Sequence, residues 1–106
     1  MTKTIRSQVV LALVFSMASA VSFAQGAGEA TYKAKCQSCH GATGTPSPAL
    51  AKMMGVKPVS DPDIQKLTLD QAIASVTNGK GKMQPFKGKL TDAEIKDAVS
   101  YYRGLK

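Results

Sequence analysis

One histidine and two cysteines are all that this 106-residue chain holds of imidazole ligands and thiol redox groups. A structural zinc site takes four such ligands, and only three exist. Acidic residues are few as well, 7 against 14 lysines and arginines. Asp61, Asp63, Asp70, Asp92, Glu94 and Asp97 fall in expected loops, caps and outer helix faces, where solvation accounts for them, and no second titratable constellation suggests catalysis. Absent too are the period-two alternation of a half-buried strand, internal repeats, low-complexity tracts and a glycine-rich phosphate loop on a strand. No nucleic-acid recognition motif accompanies the positive charge.

What is present begins with an export signal. Lys3 and Arg6 form a basic start, and Val9 to Val21 is apolar. Ser22 and Ala24 then place small residues three and one before a cut ahead of Gln25, the layout of a secretory signal peptide. The alternative, an uncleaved membrane anchor, needs roughly 17–25 apolar residues, and Val9 to Phe23 is shorter. Residues 1–24 are therefore read as a removed signal and residues 25–106 as one small domain. A domain of this size has a thin core and usually adds a disulfide, a metal or a cofactor. A disulfide between cysteines three apart closes too small a loop to stabilise much, so the staple must be something else.

Helix signals dominate the rest. Gly26 to Lys35 is rich in good helix formers and runs straight into the first cysteine. Residues 41–48, with two glycines and two prolines, read as loop. Ala49 to Met54 is expected to make one or two turns ended by Gly55, and residues 56–63 to be loop again. Thr68 with Gln71 forms a capping box ahead of Leu69, Ile73 and Val76 at helical spacing. Thr91 with Glu94 forms a second, ahead of an apolar stripe of Ile95, Ala98, Val99 and Tyr102, with Lys96, Asp97 and Ser100 on the outer face. The expected fold class is all-α, three to four short helices joined by long loops, and loops this long imply a central organiser.

Cys36, Cys39 and His40 spell C-x-x-C-H, the pattern of c-type haem attachment. Positions i and i+3 of a helical turn share a face, so both thiols can reach the two vinyl groups of one porphyrin. His40 follows directly and offers an imidazole nitrogen to the iron. Thioether formation also removes reactive thiols from an oxidising compartment. A thioredoxin-like pair would want a βαβ context, which is missing.

A six-coordinate iron needs a second axial ligand, and methionine is the natural candidate in the absence of another histidine. Met53 and Met54 lie in a short apolar segment that suits a packing or gap-filling role. Met83 lies in a loop bounded by glycine and proline between two helices and is the favoured ligand, with Met53 or Met54 as the alternative.

With these residues in view, nearly the whole chain after the signal resembles the class I c-type cytochromes. Gly28 and Tyr32 match the family's glycine and aromatic eight and four residues before the first haem cysteine. Tyr101 and Tyr102 match the aromatic near the end of its last helix. The resemblance implies that the first helix crosses the last. It also implies that Pro48 and Leu50 are the Pro-x-Leu after the motif, the proline carbonyl orienting the histidine. Two positions depart from the family: Gln84 separates Met83 from Pro85, and Ser47 stands where a glycine often precedes the proline.

The expected cofactor is one haem c joined to Cys36 and Cys39, its iron between His40 and Met83. Such a protein is a monomeric periplasmic one-electron carrier between redox proteins, with no membrane anchor after cleavage, and not an enzyme. Lys80, Lys82, Lys87 and Lys89 flank Met83 and would favour partners with acidic docking surfaces. Two other readings remain: a ligand-binding sensor or peroxidase-like protein if Met83 is labile, and a cytochrome subunit of a larger respiratory or dehydrogenase complex.

Overall fold

Four of the described helices start where the sequence supplies a side-chain cap. The computed structural model describes residues 26–105, so the signal-peptide reading of residues 1–24 lies outside the described residues. Helix α1 occupies residues 26–35. A turn at Cys36 separates it from α2, Gln37–His40. Helix α3 is Pro48–Met54: the Ser47 hydroxyl accepts from Leu50 N at 3.3 Å, Pro48 takes the first helical position, and Gly55 ends it in the left-handed region at φ 68°. Helix α4, Pro62–Gln65, is capped by the Asp61 carboxylate, which accepts from Asp63 N at 2.8 Å. Helices α5, Leu69–Asn78, and α6, Asp92–Arg103, each carry the complete capping box read from Thr68 and Gln71 and from Thr91 and Glu94.

Among the described residues there is no strand, only isolated bridges pairing Lys80 with Met83 and Lys87 with Leu90. The all-α expectation therefore stands. Among the described residues the helical segments number six rather than three or four, because α2 and α4 are single turns of four residues each. No periodic signal can announce a single turn; for α4 the usable hint was Asp61 before Pro62. No helix of the described residues is long and apolar enough to cross a membrane.

Two packing contacts arrange these elements. Helix α5 lies against α6 through a cluster of Phe86, Ile95 and Val99, with Leu69, Ala72, Ile73, Val76, Met83 and Leu90 packed on it. Helix α1 meets α6 at Gly28, where a β-carbon would run into the backbone carbonyl of Asp97 and come within 3.4 Å of Tyr101 Cβ. Glycine is the residue that permits this approach. Asp97, expected on the outer face, is half-buried for the same reason, while Lys96 and Ser100 are exposed. Tyr32 completes the contact, its ring 5.3 Å from Tyr101 and stacked 6.0 Å from Tyr102.

The buried hydrophobic core of the described chain is Tyr32, Val59, Phe86, Ile95, Ala98 and Val99. At about 1.5–3 kcal/mol for each large side chain, so few residues leave little margin over the entropy of ordering the chain. This is the thin core expected of a domain that needs an organising cofactor.

Candidate haem-attachment site

The motif is built by one turn of backbone. Cys36 N donates to Tyr32 O at 2.9 Å, so the first cysteine is still tied to α1. Its own carbonyl accepts from Cys39 N at 3.3 Å and His40 N at 3.0 Å. These bonds gather Cys36, Cys39 and His40 on a single turn, as the spacing predicts. Both thiols are free and half-buried, and burial pushes the Cys36 thiol up.

His40 closes the turn. Burial lowers its basicity, which favours the neutral imidazole that a metal requires. The ring of Tyr102 meets it edge-on, centroids 5.2 Å apart. Its Nδ1 is buried and has no hydrogen-bond partner among the described residues. Beyond it, Gly41 has φ 83°, and a β-carbon there would collide with the Thr45 carbonyl. The Gly41 carbonyl accepts from the Tyr32 hydroxyl at 2.6 Å, a bond that no local sequence pattern announces.

Pro48 and Leu50 sit in the first turn of α3, Pro48 exposed and Leu50 half-buried. The Pro48 carbonyl, the partner that the resemblance implies for the histidine ring, makes no bond to Nδ1 here.

Met83 is half-buried and rests on the Phe86 cluster. It ends a tight hairpin, with Lys80 N donating to Met83 O at 3.2 Å and Met83 N to Lys80 O at 3.0 Å. Gly79 and Gly81 supply the positive φ angles this turn needs, 78° and 59°. Phe86 N bonds Val76 O at 3.0 Å and Lys87 N bonds Thr77 O at 3.1 Å, which fasten the loop to the end of α5. Met53 and Met54 do not take the packing role expected of them. They are 65% and 37% exposed, while Leu50 and Ala51 of the same helix are half-buried. Lys80, Lys82, Lys87 and Lys89 are all exposed, as a basic rim beside Met83 requires.

These residues fit a covalently held haem: two free thiols on one turn, then a half-buried imidazole whose protonation burial disfavours. A family model described as cytochrome C oxidase, cbb3-type, subunit III matches residues 24–101. Cytochrome c-555 of Methylococcus capsulatus (strain Bath) is 30% identical over 95% of this chain and 83% of its own. Cytochrome c-555 of Chlorobaculum tepidum is 32% identical over 98% of this chain and 97% of its own. The chain belongs to the class I c-type cytochromes.

Solved structures agree. The KustC0563 c-type cytochrome superposes with a TM-score of 0.67 at 34% identity, covering 74% of this chain and 96% of that one. Members of the family carry covalently bound haem c, and Cys36 and Cys39 ahead of His40 are the matching motif in this cytochrome. Its relatives named cytochrome c-555 and c6 are small monohaem electron carriers.

Proposed function

We propose that this cytochrome is a periplasmic one-electron carrier, exported by residues 1–24 and working as a monomer between a redox donor and acceptor. In this reading Cys36 and Cys39 hold the haem through thioethers, and His40 and Met83 are the axial ligands. The observation that carries it is the single turn joining two free thiols to a half-buried imidazole of lowered basicity.

Bound haem supplies a one-electron ferric/ferrous couple. The residues do the rest. Burial keeps the His40 ring neutral, and Tyr102 limits its rotation from one edge. The glycine-turned hairpin fastened to α5 carries Met83, whose thioether suits iron and raises the reduction potential. Two protein ligands leave no open position for a substrate, which argues for a carrier and against an enzyme. Lys80, Lys82, Lys87 and Lys89 attract a partner with an acidic docking face and speed encounter, an effect that added salt weakens.

A second reading, a subunit of a larger respiratory complex, draws on the description of the matched family model. The near full-length match to a small c-555 cytochrome favours the carrier.

The test is the optical spectrum of the reduced holoprotein before and after carbon monoxide. The expected result is a c-type spectrum that the gas leaves unchanged, with Met83→Ala keeping its haem but binding the gas. A prompt shift in the unaltered protein would overturn the axial assignment and favour a sensor or peroxidase-like role. Purification in stable association with a membrane oxidase would favour the subunit reading.

A further inference from the structure

The hairpin that carries Met83 is held on one side only by its own half of the fold. Its two-way bonds are internal, and Phe86 and Lys87 fasten it to α5. Toward α3, the hydrogen bond the structure shows is a side-chain one: Lys82 Nζ donates to Met53 O at 2.6 Å, across 29 positions of sequence. The acceptor lies in the last turn of α3, where helix carbonyls lack intrahelical partners and the helix end carries partial negative charge. An ammonium is well matched to such a carbonyl.

We infer that Lys82 is a positioning residue for Met83: it latches the ligand hairpin to the end of α3 and so holds the thioether in place. The inference rests on Met83 being the axial ligand. Lys82 directly precedes Met83, so slack in the latch passes to the methionine with no intervening residue to absorb it. Lys89 is the natural contrast. It is also exposed and carries the same charge, but its ammonium bonds Gln84, 5 residues away within the same loop, at 2.8 Å.

The experiment compares carbon monoxide association with the reduced holoprotein for Lys82→Ala, Lys82→Arg, Lys89→Ala and Met83→Ala, alongside the far-red ferric band characteristic of thioether ligation. A net hydrogen bond of ordinary strength makes the sixth position about two- to tenfold more accessible when lost. Lys82→Ala should therefore bind the gas faster by about that factor and lose the far-red band at lower denaturant. Lys82→Arg should restore most of the difference, and Lys89→Ala should behave as the unaltered protein. Equal effects of Lys82→Ala and Lys89→Ala would show charge acting alone and overturn the latch, as would no effect of either. Should Met83→Ala bind the gas no faster than the unaltered protein, the axial reading itself falls, and the latch with it.

Discussion

The hydroxyl of Tyr32 donates to the carbonyl of Gly41 at 2.6 Å, so the residue after the motif histidine is tied to the helix before the first cysteine. Tyr32 is 1% exposed, and burial pushes its phenol up, as expected of a hydroxyl committed to donating. Tyr32→Phe removes one oxygen and leaves the ring. Gly41 O keeps only the longer bond from Gly44 N at 3.3 Å. The expected loss is about 1–2 kcal/mol with an unchanged denaturant slope, read by urea unfolding of the holoprotein.

Gly28→Ala sets two effects against each other. Alanine improves a helix interior by about 1 kcal/mol. The added β-carbon meets the backbone carbonyl of Asp97, which cannot swing away as a side chain tip would. Overpacking of this kind costs about 1–3 kcal/mol or more, so the net sign should be destabilising. Calorimetry that showed a higher Tm for Gly28→Ala would contradict this close crossing of α1 and α6.

Phe86→Ala should cost about 3–5 kcal/mol, since the ring is buried among Ile95 and Val99. Because Met83 rests on the same cluster, its loop should loosen too. The check is thermal unfolding paired with the far-red ferric band, which should weaken before the fold is lost.

Asp63 provides the pH prediction. Lys57 at 2.7 Å and Lys66 at 3.1 Å hold its carboxyl down to about 2, below the ordinary 3.8. The unfolded chain therefore takes up the proton first. This contribution is present above pH 3.8 and is lost as pH falls through about 2. Asp63→Asn should show a smaller drop in Tm between pH 4 and pH 2 than the unaltered protein, and high salt should narrow the gap between them. Identical pH profiles would show that pairing of Asp63 with the two lysines adds nothing to stability.

Legibility in the sequence follows the range of the interaction. The capping boxes at Thr68 and Thr91 involve residues three apart, and both appear as read. The haem motif is legible for the same reason, because its ligands share one turn. The α1–α6 crossing was visible only through the resemblance; nothing local marks Gly28 as the residue that meets Asp97. Tyr32 to Gly41 and Lys82 to Met53 depend on where distant segments arrive, and no spacing rule reports that. Met53 and Met54 show the opposite failure. Their apolar character suggested packing, yet the protein's own side chains do not cover them.

The crossing at Gly28 joins the first described helix to the last, and every other element lies in the arc between them. A ribosome delivers that arc from its N-terminal end. Cys36, Cys39 and His40 therefore leave it well before Tyr102 exists to meet the His40 ring. Each newly made molecule passes through a stage when its motif is complete and its enclosure is not. The arrival of α6 ends that stage by setting Tyr102 against the edge of the His40 ring.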